Sequence, residues 1–412
     1  MNYNQRFRCS ICDSFIDCRI GMSNRDVQPF RFACPRCGEG IEIVISKTEG
    51  VNIKGAVSVN FGGVFDGQYP FIDLHLDFPV SFEKYIMGNT PFLKAISLIG
   101  HENYQFHNVR LEALNTLYSK IDDLTRIIRL YTKDTDLFIK YCKNSFDEEV
   151  KSKEQKDLNL ALYCILAKVF FPFNFPHDNI ESVELYMGVI NDLFNSNNVA
   201  FDSFIKEIIE SKFLKNLQAD CLEIYPLILR AELPLRPALF LDFVETAGDE
   251  LTSLRVSADD FKTYKDLYKD ISEIMSRQLV LVAGINNLIH RGDHDKFKNI
   301  GKETPKNLNK YADVPYGSKL IHMDDCWYTI DEKVTDNQLR NSIAHYKIEY
   351  EEVAQLIKYY PKKEGIKQER ERTIYFLDFM RKILISYREM HRMHQLVKCL
   401  FNYYFFIYNK SD

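Results

Sequence analysis

The chain has 412 residues, of which 46% are hydrophobic and 27% charged, and its formal net charge is −5. That composition excludes a disordered chain and provides for two or three domains with cores of their own. No apolar run reaches the roughly 18 residues of a membrane helix. The acidic balance gives no overall attraction to nucleic acid. The opening MNYNQRFRCS lacks the apolar core of a signal peptide, so a cytoplasmic protein with no membrane partner is expected.

The first pattern is CSIC, Cys9 and Cys12, followed after a 21-residue spacer by CPRC, Cys34 and Cys37, with Gly38 directly after. A tetrahedral zinc ion needs four soft or borderline ligands, and each C-x2-C turn presents two thiolates to one ion. Glycine after a pair lets the knuckle backbone fold back toward the sulfurs. A redox role would call for a single pair beside a helix start. Four cysteines leave no open coordination position, so the expected Zn2+ is structural, held by Cys9, Cys12, Cys34 and Cys37. The other six cysteines show no pairing pattern and read as packed thiols, Cys18 among them. The stretch resembles the zinc ribbons, which serve as nucleic-acid clamps, protein docks or plain staples. The ribbon is expected over 1–45.

IEIVIS, GAVSVNF and PFIDLHLDFPVSF have the alternation of strands and form a small β unit over 46–90. His75 falls in one of these strands, on its polar face. From NTPFLKAISLIG onward the period becomes helical, with proline in a first turn. A helical middle region is expected over 91–240, broken at FPFNFPHDN (171–179) and closed by the two prolines of ELPLRPALF (232–240). No GxxxxGK[ST] or GxGxxG occurs, so no nucleotide-binding loop is expected.

A helical domain fills 241–412. One helix runs from about Asp260 to His290 and stops at Gly292. After a loop to about 334, Thr335 and Gln338 form a capping-box pattern that opens a helix through LRNSIAHY and EEVAQLIKYY, ended by Pro361. A long amphipathic helix follows, from about Gln368 to Tyr408. The fold class is therefore mainly α: a zinc ribbon and small β unit, a helical middle region and a C-terminal helical bundle.

Within LRNSIAHY, Arg340 and His345 lie about 140° apart on a helix, an angle the arginine stem can close. Asn341 and His345, four apart, share a face. Histidine titrates near neutrality and can move protons at a 2′-OH or a leaving 5′-oxygen. Arginine stays charged and can stabilise a phosphorane. Asparagine can orient either group. RNSIAH, with its flanking helices, resembles the R-x4-6-H motif of the HEPN family (higher eukaryotes and prokaryotes nucleotide-binding), over about 245–410. That resemblance implies an all-α, homodimeric, metal-independent endoribonuclease with Arg340, Asn341 and His345 as catalytic residues and RNA as substrate. It also implies a setting in antiviral defence or toxin action, with the N-terminal region as sensor or regulator for a trigger partner. The alternative is a non-catalytic nucleic-acid- or protein-binding scaffold that dimerises through the bundle.

Three further groups stand out. His290, Arg291 and His294 cluster at a helix end and are candidate phosphate-binding residues, although cations near a helix C-terminus also simply complement its dipole. From Lys358 to Asp412 there are 12 Lys and Arg against 6 Asp and Glu, and His391 and His394 with Arg388 and Arg392 read as a basic helix face able to touch RNA. Trp327 reads as a packing anchor.

Overall fold

The computed structural model describes residues 1–81, 84–244, 254–258, 260–331, 334, 336–361 and 370–410, except for the side chains of 176–178 and 410. Eight strands come first: β1 (Asn2–Cys9), β2 (Phe15–Gly21), β3 (Val27–Ala33), β4 (Gly40–Ser46), β5 (Gly50–Lys54), β6 (Ala56–Val59), β7 (Phe71–His75) and β8 (Val80–Ser81). Helices follow: α1 (Pro91–Leu117), α2 (Ile121–Lys133), α3 (Thr135–Phe146), α4 (Gln155–Phe170), α5 (Pro176–Glu210), α6 (Phe213–Arg230) and α7 (Glu232–Phe240). The remainder is β9 (Leu254–Arg255), α8 (Phe261–Arg291), α9 (Leu308–Ala312), α10 (Tyr316–Lys319), α11 (Asn337–Ala344), β10 (Ile348–Glu351), β11 (Leu356–Tyr359), β12 (Arg372–Tyr375) and α12 (Phe376–Phe406). The fold is mainly α, with small N-terminal sheets that carry the four paired cysteines. Residues 1–119, 230–266 and 341–384 form one compact unit, and residues 120–229, 267–340 and 385–412 form a second.

In the first unit β6, β1, β2 and β7 form one sheet, in which β2 and β7 are parallel, and β3, β4 and β5 form another. Alternation buries Phe7, Ile16, Ile20, Phe30, Phe32, Ile41 and Ile43 in one cluster with Ile72, Leu74 and Leu76. Each such side chain contributes about 1.5–3 kcal/mol on burial. β7 is covered on both faces, so His75 is not on a polar face as its strand pattern predicts. It is 4% exposed, its Nδ1 accepts the Asp77 N–H at 3.1 Å, and burial pulls its pKa down to about 4. The ring lies so close over Gly21 that a Cβ there would fall 2.3 Å from His75 Cδ2. Thr90 caps α1 by accepting the Leu93 N–H, with Pro91 in the first turn as expected.

Charged groups tie the sheets of this unit to its helices. Arg19 makes a two-pronged pair with Asp73, at 2.9 and 2.5 Å. Arg236, fully buried on α7, donates to Glu232 at 2.6 Å, Asp77 at 2.8 Å and Asn115 at 2.9 Å. Glu232 also pairs with Arg25, which lies over the Tyr118 ring.

The second unit is helical. Its centre is the Tyr225 hydroxyl on α6, hydrogen-bonded to His391 Nδ1 at 2.7 Å and His394 Nδ1 at 2.8 Å on α12. Tyr163 meets His394 Nε2 at 3.0 Å. Both histidines are buried, and desolvation pulls His391 down to about 4 and His394 well below its ordinary value. Arg388 donates to the Phe173 carbonyl and Arg392 pairs with Glu389. The expected basic face of α12 is therefore corrected: its histidines point into a core and these arginines serve packing. Trp327 is the expected anchor, donating from Nε1 to the Val282 carbonyl and packing edge-on to Tyr186.

Two further expectations change. ELPLRPALF is a buried helix, α7, rather than a break. Pro234 sits in its first turn, where the N–H has no intrahelical partner, and packing outweighs the bond lost at Pro237. EEVAQLIKYY is not helical. The chain turns at Glu352–Gln355, with Gln355 left-handed at φ 51°, and the sequence on either side forms the antiparallel pair β10–β11, extended by β12. The alternation in IEYE and LIKY carried that signal. The long final helix is present but begins at Phe376, because Arg372–Tyr375 of its expected span pair as β12; the expected start at Gln368 itself lies outside the described residues.

Candidate functional site

Each C-x2-C turn closes a hairpin, β1–β2 for Cys9 and Cys12 and β3–β4 for Cys34 and Cys37. The two knuckles are near copies. Cys9 N–H donates to Ser14 C=O at 3.0 Å and Cys34 N–H to Glu39 C=O at 2.8 Å. Asp13 N–H donates to Cys9 C=O and Gly38 N–H to Cys34 C=O. Gly38 takes φ 76°, as its position predicts, and Asp13 takes φ 57° in the other knuckle, a role the sequence does not advertise. Cys9 Sγ lies 3.7 Å from Cys37 Sγ, and Cys12 Sγ 3.7 Å from Cys34 Sγ. All four sulfurs lie within 4.8 Å of one another. An ion about 2.3 Å from each of four tetrahedral sulfurs sets them about 3.8 Å apart, so the cluster fits a metal without rearrangement. The Ser14 hydroxyl lies 3.0 Å from Cys12 Sγ, placed to hydrogen-bond the thiolate a metal needs. Cys18 is packed in β2, as expected.

The motif helix α11 is two turns long. The residue expected to cap it, Thr335, lies outside the described residues; Asp336 accepts the Leu339 N–H at 3.1 Å and performs the cap. Leu339, Ser342 and Ile343 are buried. Asn341 C=O accepts the His345 N–H at 3.0 Å and ends the helix. Tyr346 N–H then bonds to Ile343 C=O and Lys347 N–H to Ser342 C=O, the paired bonds of a Schellman turn. His345 is exposed in that turn, and Tyr346 is 86% exposed at φ 55°. Arg340, whose N–H closes onto Asp336 C=O, forms an ion pair with Glu273 on α8. Burial lowers the pKa of its guanidinium.

Tyr346 also lines an open groove of about 670 Å³ in the first unit. Arg31 and Phe32 of β3 form one wall, and Phe261, Lys262 and Lys265 at the start of α8 another. Tyr350 of β10 stacks on Phe261 with centroids 5.1 Å apart, and Lys265 Nζ lies 5.6 Å from the centre of the Tyr346 ring. Two carboxylates, Asp260 and Glu352, share the lining. The sequence gives no hint of this grouping, because its members lie some 30, 260 and 350 positions along the chain.

His290, Arg291 and His294 lie around the C-terminal end of α8, which stops at Gly292 with φ 67°, as expected. His290 Nε2 meets the Asp325 carbonyl at 3.2 Å. Arg291 donates to Lys296 C=O and to Asn287 and pairs with Asp324. His294 is 8% exposed and paired with Glu207 at 2.8 Å. The three side chains face different partners.

No family model, curated protein or solved structure matches this chain. Two features of the chain bear on function: a four-cysteine centre of ribbon geometry able to hold a metal, and the exposed end of an R-x4-H helix beside a groove of cations and aromatic rings. No helix among the described residues is long and apolar enough to cross a membrane.

Proposed function

We propose that this chain is a metal-independent endoribonuclease with Arg340, Asn341 and His345 at its centre. The observation that carries this reading is the placement of His345, exposed in the turn that ends the motif helix and next in the chain to Tyr346, which lines a groove of mixed charge that includes Arg31, Lys262 and Lys265. His345 takes the proton from a ribose 2′-OH. The 2′-oxygen then bonds to phosphorus, the bond to the 5′-oxygen breaks, and that oxygen receives a proton. The products are a 2′,3′-cyclic phosphate and a 5′-OH end. General acid–base help of this kind is worth about 10²–10⁴-fold. Arg340 supplies positive charge to the phosphorane when a phosphate competes with Glu273 for it. A homodimer places two such sets in one cleft, one imidazole as base and its twin as acid. Zinc on Cys9, Cys12, Cys34 and Cys37 holds the ribbon, whose chemistry supplies nothing to the cleavage step. The biological setting this reading supports is antiviral defence or toxin action, with the N-terminal region receiving the trigger.

The test compares RNA cleavage by the wild type with that by Arg340→Ala and His345→Ala. Each variant is expected to lose at least about 100-fold, and wild-type cleavage is expected to survive EDTA while zinc stays bound. Variants that cut as fast as the wild type overturn the reading. The Arg340–Glu273 pair favours the second reading, a binding scaffold in which that guanidinium is only structural. A wild-type protein that binds RNA and leaves it intact under every condition decides for the scaffold.

A further inference from the structure

Tyr346 occupies the position of a Schellman turn that glycine normally takes, because a left-handed backbone crowds a Cβ. A tyrosine held there with 86% of its surface in solvent gains almost nothing from packing. Strain without a packing return points to a ligand-facing role. The ring stands at the edge of the 670 Å³ groove, a size within the range of about 300–1,000 Å³ usual for ligand sites. Around it are Arg31, Lys262 and Lys265, opposed by two carboxylates. One of those, Asp260, is already committed: it caps α8, accepting the Thr263 hydroxyl at 2.8 Å. Lys265 Nζ lies over one face of the ring, 5.6 Å from its centre and 3.6 Å from Asp266, and the rest of the ring is open to a base.

We propose that this groove binds a short single-stranded segment of RNA, with Tyr346 as the stacking platform for one base and Arg31, Lys262 and Lys265 as partners of the adjoining phosphates. One exposed ring with cations beside it suits an unstacked base, which a duplex keeps hidden. The choice of RNA over another polyanion rests on the ribonuclease reading; the groove itself does not. Tyr346, which lines the groove, directly follows His345 in the chain, so a strand lying in it passes the turn that carries that imidazole.

The test uses the full zinc-loaded chain in a His345→Ala background, so that the probe stays intact. Anisotropy of a fluorescein-labelled octauridylate is titrated at several salt concentrations against this parent, Lys262→Glu/Lys265→Glu, Tyr346→Gly and Tyr346→Phe. The charge-reversal pair is expected to weaken binding at least about 10-fold and to flatten the salt dependence. Tyr346→Gly is expected to weaken it about 5-fold or more with no fall in melting temperature, since glycine suits the turn, and Tyr346→Phe to retain it. Equal affinity of all variants, or displacement of the probe by an octaglutamate peptide as readily as by unlabelled RNA, overturns the proposal. Lost binding in the groove variants beside a wild type that never cleaves leaves the groove standing and removes the nuclease. Cleavage that needs His345 beside unchanged binding does the reverse.

Discussion

Replacing Arg236 with methionine removes a cation that is 0% exposed and keeps an unbranched stem of similar reach. Three hydrogen bonds go with it, to Glu232, Asp77 and Asn115 at 2.6, 2.8 and 2.9 Å. Glu232 keeps Arg25 as a partner, whereas Asp77 loses the cation its carboxylate faces. Leaving a buried charge unpaired costs about 3–5 kcal/mol, the loss expected at pH 7. The pH dependence has a definite sign. In the wild type, burial pushes the Asp77 carboxyl up, but Arg236 and then His75 more than offset it, so its pKa lies below the usual carboxylate value. That stability is present above the unfolded pKa of about 3.9 and is lost only as pH falls through the lower folded value. Without Arg236, burial dominates and the folded pKa rises above the unfolded one. The variant then recovers stability as pH falls through that raised value, and the gap to wild type narrows between pH 7 and pH 5. Urea unfolding followed by circular dichroism at both pH values measures it. A variant within about 1 kcal/mol of wild type at pH 7, or a gap equal at the two pH values, refutes the assignment of Asp77 as a buried, paired carboxylate.

Two more outcomes complete those attached to the nuclease and the groove. The purified chain is expected to carry one zinc ion by elemental analysis. In Cys34→Ser the metal is lost and hydrogen exchange accelerates in residues 9–14 and 34–40, while α12 keeps its protection; full occupancy in that variant refutes the four-cysteine site. Gly21→Ala is expected to destabilise the first unit by about 1–3 kcal/mol, because the added Cβ meets the His75 ring at 2.3 Å. An unchanged melting temperature would mean that the ring moves aside.

What the sequence made legible was local. CSIC and CPRC announce their knuckles because each needs only neighbouring residues, and Thr90–Pro91 and Gly292 mark helix ends for the same reason. The misreadings came where tertiary packing decides. Two prolines in ELPLRPALF look like a break until burial of nearly the whole segment outweighs them. His391 and His394 read as a basic face because their burial depends on Tyr225, some 166 positions away. EEVAQLIKYY mixes helical and alternating periods, and the left-handed Tyr346 and Gln355 that settle it have no sequence signal. RNSIAH stood out along the chain as a string of neighbouring residues. The groove beside it did not, since Arg31, Lys262, Lys265 and Tyr346 form no pattern along the chain.

The paired knuckles belong to two different sheets, so an ion on their sulfurs works as a rivet through both. Arg31 and Phe32 stand just upstream of Cys34 on the riveted strand. Oxidants or chelators that pull the rivet would therefore loosen one side of the groove while leaving the RNSIAH segment chemically untouched.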